Sequence, residues 1–357
     1  MRFLRRSLAL PLAVALAAAV AMPIAARNIN ANNAYTVTNL VSDQAGVALN
    51  QDTNLVNGWG IAASSGSPWW VADNHTNKST LYRGDGTIVA RVVNVAGGPT
   101  GVVFNGTGLF AVSDGTNTGS AAFIFDTEGG QVLGWNPSVM GGTDAILGGE
   151  HAGAIYKGLA LATAGDGHPY LYAADFHNAA IDVYDSTYAM TSLPGDFVDP
   201  GIPAGFAPFN IQALGGLLYV TYAMQDADAE DEIAGPGLGY VSAFDTDGNF
   251  IGRVASGGDL NAPWGLAIAP ADFGRFSGDL LVGNFGDGHI NGFGAGDSGW
   301  EAKGHLKTPD HHALVIDGLW GIGFGNNAGS GASNVLYFAA GPDDEEHGLF
   351  GSVAAGS

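Results

Sequence analysis

A Trp-Gly-aliphatic triplet recurs along the chain and constrains the fold more than any other feature. It is found in NGWGIAA (57–63), APWGLAIAP (262–270) and DGLWGIGFG (317–325). Aligning on its glycine extends the set to six segments: GWGIAA (58–63), PTGVVF (99–104), YKGLAL (156–161), PFNIQA (208–213), PWGLAI (263–268) and LWGIGF (319–324). Successive segments lie 41 to 57 residues apart, a period typical of repeated supersecondary units.

Each segment is followed by further short apolar runs that end in turn residues. Second runs include PWWVAD (68–73) and YLYAAD (170–175); in the second unit we assign GLFAVSD (108–114) to this role and AAFIFDTEGG (121–130) to the third run. Four short antiparallel strands per unit, six times over, predict an all-β six-bladed β-propeller. A β-sandwich or a solenoid is the alternative, but sandwiches lack internal repeats and solenoid repeats are usually shorter.

The last unit is one strand short. It ends after three apolar runs, whereas YTVTNLVSD (35–43) precedes the first unit and has no blade of its own. We predict that this N-terminal strand completes the last blade, which closes the ring and removes its edges. Residues 35–357 then form a single propeller domain, and 27–34 is a flexible segment before it.

The N-terminus has the pattern of a signal peptide over residues 1–26. Arg2, Arg5 and Arg6 precede a short apolar stretch, and small residues offer cleavage after Ala21 or Ala26. This predicts export to the periplasm or the medium, by the general secretory route or, from the Arg5-Arg6 pair, the twin-arginine route. No later stretch is apolar and long enough for a transmembrane anchor.

The composition excludes several classes of partner. The formal net charge is −22, and removing a signal peptide with three arginines and no acid makes it more negative. Such a surface repels nucleic acid and anionic lipid. The chain has no cysteine, so no disulfide constrains it. We expect a monomer that binds a small molecule or a saccharide.

Polar residues of the predicted loops converge on one end of the propeller axis. Loops entering the first strand and loops joining the second and third strands share one face, so their side chains should meet. We predict metal ligands for Ca²⁺ or another divalent cation at Asp73, Asn74, Asp175, Asn284 and Asp287. His75 and His177 are weak candidates for a general base. The alternative is that these residues only cap turns.

Aromatic residues and one lysine stand at the second position of the triplet segments. They are Trp59, Lys157, Phe209, Trp264 and Trp320. The rings are candidate ligand-binding residues that would stack on a sugar, or they fill the narrow axis as packing. Lys157, placed among carboxylates, is expected to form ion pairs.

Two acidic loops fall on the same face, at 226–232 and 343–346. They form either a loose cation site or solvated loops; DADAEDE does not match a calcium-binding helix–loop–helix motif because Asp231 stands where glycine is required. The chain has no phosphate-binding loop, no dinucleotide fingerprint and no serine-hydrolase elbow. We therefore expect no nucleotide cofactor.

Several long motifs resemble a known family. YKGLALA, GFAPFNIQALGGLLYVTYAMQDAD, LNAPWGLAIAPADFGRFSGDLLVGNFGDGHINGF and YFAAGPDDEEHGLFGS resemble an uncharacterised family of exported bacterial proteins, some with a PEP-CTERM sorting tail. The likeness spans about 36–353 and implies export and a propeller fold, with no established activity. A weaker resemblance is to NHL and lactonase-type propellers. The chain lacks the sorting tail, and His75 and His177 stand where that family has other residues.

Three functions are compatible with these observations. The preferred hypothesis is an exported binding module with a divalent-cation or small-ligand site at the top of the central channel. The second is a metal-dependent hydrolase or lyase of the lactonase type, in which an axial cation held by Asp73, Asp175 and Asn284 acts with a histidine base. The third is a protein-docking scaffold, because propellers host all three.

Overall fold

The six repeat units fold into six sheets around one axis, each built on four main strands. A computed structural model describes residues 32–297 and 299–356. In it, the first strand of each unit contacts the first strands of the units before and after it, and the first strand of the sixth unit contacts that of the first. The ring is therefore closed, and the predicted all-β six-bladed propeller is confirmed.

In blades 1 to 5 the strands run outward from the axis in chain order, and in blade 6 the N-terminal strand lies outside the other three. Blades 1 to 3 consist of Gly58–Ala62, Trp69–Asp73, Lys78–Tyr82 and Ile88–Asn94; Pro99–Phe104, Phe123–Thr127, Gln131–Trp135 and Ile146–Glu150; and Tyr156–Thr163, Pro169–Asp175, Ala180–Tyr184 and Met190–Thr191. Blades 4 and 5 consist of Phe206–Leu214, Leu217–Gln225, Tyr240–Phe244 and Phe250–Ser256; and Pro263–Ile268, Leu280–Asn284, Ile290–Gly296 and Gly299–His305. Blade 6 consists of Leu319–Phe324, Val335–Ala340, Leu349–Ala355 and Tyr35–Ser42.

A few short elements lie outside this pattern. Asn50–Gln51 pairs with the closing strand, Glu232–Ile233 pairs with the second strand of blade 4, and Ala111–Ser113 pairs with Thr118–Ser120. Three single-turn helices are present among the described residues, Asn74–Thr76, Met140–Gly142 and Gly274–Phe276. In this part of the chain no helix has the length and apolarity that crossing a bilayer requires.

The triplet glycine permits close contact between first strands. A Cβ on Gly60 would lie 2.6 Å from the Thr100 carbonyl oxygen, and one on Gly265 would lie 2.6 Å from the Trp320 carbonyl oxygen. Real Cβ atoms do not approach backbone this closely, so a side chain would push the blades apart. Blade 4 carries Asn210 instead, whose amide donates to the Trp264 carbonyl oxygen at 2.8 Å and bridges to the next blade.

The N-terminal strand closes the ring, as predicted. Tyr35–Ser42 pairs antiparallel with Leu349–Ala355, from Tyr35 opposite Ala355 to Ser42 opposite Leu349. Tyr35 is fully buried, and its hydroxyl donates to the Phe273 carbonyl oxygen at 2.9 Å. The outer strand of blade 6 is thus joined to the loops of blade 5.

The assignment of strands within blade 2 was wrong. Residues 108–114 do not form its second strand, because Ala111–Ser113 and Thr118–Ser120 form a separate hairpin beside the blade. The second strand is Phe123–Thr127, which pairs with Pro99–Phe104. Every residue of Phe123–Thr127 is buried, whereas only the central residue of Ala111–Ser113 is buried. The run that buries more apolar side chains is therefore the one that lies inside the sheet.

The predicted signal peptide, 1–26, and residues 27–31 of the predicted flexible segment lie outside the described residues. At its end, Asn33 is bonded to the last strand of blade 5 and the residues after it: its amide donates to the His305 carbonyl oxygen at 3.0 Å, and its Oδ1 accepts from the Lys307 amide at 3.0 Å.

Candidate functional site

Loops from five blades surround a cavity of about 410 Å³ at one end of the axis, which we call the mouth cavity. Carboxylates dominate its lining: Glu128, Asp231, Glu232, Asp344 and Glu345. The other lining residues are Asn57, Trp59, Asn74, His75, Lys157 and Phe285. A cavity of this volume suits a small ligand, and it lies on the face predicted from the loop pattern.

Beneath the mouth cavity, aromatic rings fill the axis. Trp59 stacks on Trp320 with ring centroids 3.6 Å apart, and Phe285 stacks on the same ring at 4.0 Å. Trp264 meets both tryptophans edge-on, and Phe209 packs beside Trp320. Phe209 and Trp320 are fully buried, and Trp59 and Trp264 are 3% and 4% exposed. This arrangement favours the packing alternative; of the four, only Trp59 lines the cavity.

Lys157 contacts both the aromatic rings on the axis and the carboxylates of the mouth cavity. Its ammonium lies 2.7 Å from Glu128 Oε1, 3.0 Å from Asp231 Oδ1 and 5.2 Å from the centroid of the Trp59 ring, while its side chain is 1% exposed. Burial lowers the pKa of Lys157, but the charges of Glu128, Asp231 and Glu232 outweigh burial and the pKa is raised. Lys157 is therefore a fixed positive charge already shared by two partners.

The two ion pairs of Lys157 differ in exposure, which predicts different effects on stability. Glu128 is 34% exposed and Asp231 is 72% exposed, so water screens the second pair more strongly. We expect Glu128→Gln to lower the free energy of unfolding by about 1–2 kcal/mol, and Asp231→Asn by less than about 0.5 kcal/mol. Urea denaturation of both variants tests this, and equal losses would contradict it.

Two carboxyls of the mouth cavity have raised pKa values. Burial raises the pKa of Glu232 to about 8; Lys157 lowers it, and the nearby Glu345 and Asp231 add to the rise. Burial also raises the pKa of Glu345, against a 3.2 Å hydrogen bond donated by the Asn57 amide. Both side chains are half-buried. The cavity thus holds more carboxyl groups than its one lysine can neutralise.

A strained loop presents two of these carboxylates. Asp343, Asp344 and Glu345 have φ values of 57°, 55° and 67°, three consecutive non-glycine residues in the left-handed region, which is uncommon. The Asp343 amide donates to Asp317 Oδ2 at 3.0 Å, and the Glu345 amide to the Gly341 carbonyl oxygen at 3.2 Å. Backbone strain of this kind is more frequent at functional sites, and the loop that carries it contributes Asp344 and Glu345 to the cavity.

The residues predicted to hold one axial ion lie in separate polar clusters. Asp73 is fully buried and accepts from the Thr80 hydroxyl at 3.2 Å, and burial raises its pKa well above the usual range. Asn284 donates to Asp287 Oδ1 at 3.0 Å. Within the described chain, neither Asp73 nor Asp287 belongs to a group of three close His, Asp or Glu side chains.

Asp175 caps a turn, which is the alternative to metal binding that the sequence left open. It accepts from the Asn178 amide nitrogen at 3.1 Å and from the Asn178 side chain at 2.7 Å. It is also fully buried and lies close to His151 and Asp182. His151 was not among the residues predicted from the sequence, because it stands in a short turn between two blades rather than in a predicted mouth loop.

Of the predicted site residues, four line the mouth cavity. Asn74, His75, Trp59 and Lys157 do so, and Asn74 donates to Glu128 Oε2 at 2.8 Å. His177 lies to one side, with Nδ1 3.1 Å from the Ala229 carbonyl oxygen.

Glu128 was not predicted because residues 108–114 were assigned as the second strand of blade 2. That assignment placed the loop between the second and third strands in the wrong part of the sequence. The buried run FIFDT followed by EGG is the signal that marks the true loop.

The closed ring and the acidic mouth cavity with its buried lysine define a six-bladed β-propeller with a ligand-sized cavity at the end of its axis. No protein-family model matches the chain. It is 36% identical over 331 residues to uncharacterized protein R648 of Acanthamoeba polyphaga mimivirus, covering 89% of this chain and 80% of that protein. Uncharacterized protein L690 of the same virus is 33% identical, with 89% and 85% covered. The chain belongs to the family of these proteins.

Two solved structures share the fold at low sequence identity, and a third has a lower structural similarity. A protein of unknown function from Bacteroides thetaiotaomicron has a TM-score of 0.54 and 11% identity, covering 90% of this chain and 76% of that chain. A soluble aldose sugar dehydrogenase from Escherichia coli has a TM-score of 0.50 and 14% identity, covering 90% and 100%. A gluconolactonase from Xanthomonas campestris has a TM-score of 0.44 and 20% identity, covering 65% and 72%.

These relatives qualify the resemblance drawn from the motifs. The propeller fold agrees with it, and both viral relatives are described as uncharacterized proteins. The relatives named here by sequence are viral, so a bacterial family with a sorting tail gains no support from them.

Proposed function

We propose that this protein is a binding module whose mouth cavity holds a small ligand that carries positive charge, either an organic amine or a hydrated divalent cation such as Ca²⁺. One observation carries the proposal: five carboxyl groups and a single lysine line the same cavity. Lys157 is already paired with Glu128 and Asp231. Glu232 and Glu345 are left without a cationic hydrogen-bond partner among the described residues.

The distances between the mouth carboxylates favour a ligand larger than a bare ion. The mouth carboxylates do not form a group of three whose oxygens lie within direct coordination distance of one ion. A ligand of several atoms, or a cation that keeps its water shell, bridges such separations. A saccharide could also occupy the cavity, because its hydroxyl groups can donate hydrogen bonds to the same carboxylates. The binding test therefore includes a saccharide as a third probe.

Binding of a positively charged ligand should tighten as the pH rises from 6 to 9. The pKa of Glu232 is about 8 instead of its ordinary 4.5, so at pH 6 its carboxyl is neutral and attracts a cation weakly. A bound cation favours the ionised form and releases a proton. Isothermal titration calorimetry with 1,4-diaminobutane, calcium chloride and D-glucose, in two buffers of different ionisation enthalpy, measures both effects.

The variant Glu232→Gln removes the titrating charge while keeping the shape. We expect its Kd for the charged probe to rise about tenfold at pH 9, with no proton release. Glu150→Gln, a like change on an exposed residue, is the control and should bind as the wild type does. Silence of 1,4-diaminobutane and calcium chloride, binding of D-glucose alone, or equal weakening by Glu150→Gln would contradict the proposal.

The same pKa predicts how Glu232 affects folding. Above pH 4.5 the unfolded chain releases the Glu232 proton, whereas the folded protein keeps this proton up to about pH 8. The free energy of unfolding therefore falls as the pH rises from 4.5 to about 8. Glu232→Gln should remove that loss and be the more stable protein at pH 8. This comparison of melting temperatures, made alongside the binding measurement, shows that the substitution has not damaged the fold.

A hydrolase or lyase is a second candidate, favoured by the protonation states of the cavity. Glu232 holds a proton at neutral pH, whereas Glu128 and Asp231 pair with the Lys157 ammonium. A neutral and an ionised carboxyl in one cavity are the pair that general acid–base catalysis uses. Turnover in a panel of lactones and esters, lost in Glu232→Gln, would establish this activity; no turnover, or turnover unchanged in the variant, would exclude it for that panel.

A further inference from the structure

We infer that His151, Asp175 and Asp182 form a binding site for a divalent transition metal of the zinc class, between blades 2 and 3 and separate from the mouth cavity. Each side chain offers one ligand atom, and these atoms all lie within 4.8 Å of one another. Among residues 32–297 and 299–356, this is the group of three or more His, Asp or Glu side chains that meets this geometry.

The backbone fixes the three side chains independently. Asp175 ends the second strand of blade 3, and Asp182 lies within the third strand, opposite Ala173. His151 is held in the turn between the blades, where its amide donates to the Gly130 carbonyl oxygen at 2.9 Å and its carbonyl accepts from Ala154 at 3.1 Å. Binding would therefore require small side-chain movements only.

The charges at this place are unbalanced. Asp175 and Asp182 are 0% and 11% exposed at the side chain, and the ion pairs they form in the described chain are with His151 alone, at 3.7 Å and 2.7 Å. No lysine or arginine of that part pairs with either carboxylate. Buried carboxylates are normally neutralised by a cationic partner or by a metal, and two carboxylates around one imidazole leave room for the charge of a divalent ion.

Tyrosine hydroxyls orient the Asp182 carboxylate in the way that hydrogen-bond donors orient ligating carboxylates in metal sites. Tyr156 donates to Asp182 Oδ2 at 2.6 Å, and its oxygen lies 2.6 Å from that of Tyr184. Hydrogen bonds of this kind fix a ligating carboxylate and tune its basicity. His151 is 35% exposed, which gives an ion a path from solvent. One imidazole nitrogen with carboxylate oxygens suits Zn²⁺ better than Ca²⁺, which prefers oxygen alone.

Zinc binding to the full chain tests the inference. After chelator treatment and dialysis, titration with zinc chloride should show one equivalent bound, and the melting temperature should rise by about 4 °C at a hundredfold excess over Kd. Asp182→Asn keeps the shape and the Tyr156 contact, and we expect it to raise the Kd for zinc at least tenfold. His151→Gln, at a more exposed position, should do the same and guards against a folding defect in the first variant.

His347→Ala is the matched control. His347 Nδ1 lies 2.8 Å from Asp43 Oδ2, a histidine–aspartate pair like that of His151, but without a second carboxylate in the group. Its removal should leave zinc binding unchanged, as should Glu232→Gln, which separates this site from the mouth cavity. The inference is overturned if the wild type binds no zinc, if Asp182→Asn and His151→Gln keep its affinity, if His347→Ala loses it equally, or if excess Ca²⁺ displaces the bound zinc.

Discussion

Replacing Tyr35 by alanine is expected to lower the free energy of unfolding by about 3–5 kcal/mol, the usual loss for removing a large buried ring. Tyr35 is fully buried at the start of the closing strand, and its ring centroid lies 5.0 Å from that of Phe273. The substitution leaves a cavity where blade 6 meets the loops of blade 5. Urea denaturation followed by tryptophan fluorescence measures the loss.

Two further variants separate ring closure from other effects. Tyr35→Phe keeps the packing and removes the hydrogen bond to the Phe273 carbonyl oxygen, so it should cost about 1 kcal/mol. Thr36→Ala changes an exposed neighbour in the same strand and should cost less than about 0.5 kcal/mol. If Tyr35→Ala were as mild as Thr36→Ala, the N-terminal strand would not close the ring in solution.

Gly101→Ala should be the second severe substitution, lowering the free energy of unfolding by about 3 kcal/mol. A Cβ at this position would clash with the Leu159 amide nitrogen in the next blade and lie 2.6 Å from Asp126 Oδ1. Backbone on one side and a buried carboxyl on the other leave it no room to move. The first strands of blades 2 and 3 would separate, and with them the walls of the central channel.

Gly252→Ala is the matched control for that change. Gly252 lies in the outer strand of blade 4, where a Cβ would meet nothing within 4 Å. Because alanine restricts the unfolded chain more than glycine does, this variant should be neutral or up to about 1 kcal/mol more stable. Similar melting temperatures for Gly101→Ala and Gly252→Ala would show that the repeated glycine does not serve interblade packing.

The architecture was predictable because its signal is local and repeated. The segments aligned on the triplet recur in all six units with turn residues after them, and each marks the first strand of a blade. The prediction failed in blade 2, where residues 108–114 and 123–127 are both short and apolar. The sheet decides between them, because pairing with Pro99–Phe104 buries Phe123–Thr127 completely.

The site was predictable in place but not in composition. The loop pattern indicated the face on which the mouth cavity lies, and both acidic loops were recognised without deciding whether they are solvated. In the structure Asp231, Glu232, Asp344 and Glu345 line the cavity. Asp73 and Asn284 have the residue types of metal ligands, but they are buried within their own blades, since a side chain at a strand end can turn toward its sheet or toward the axis.

The sequence by itself determined that the chain has six similar units, that glycine or asparagine stands where first strands touch, and that the polar loops share one face. These follow from periodicity and from the steric demands of single residues. Only the tertiary structure decided which side chains meet. Lys157 reaches Glu128 and Asp231, which are 29 and 74 residues away along the chain. Closing the ring brings residues of three blades to one axis, and no local pattern encodes that proximity.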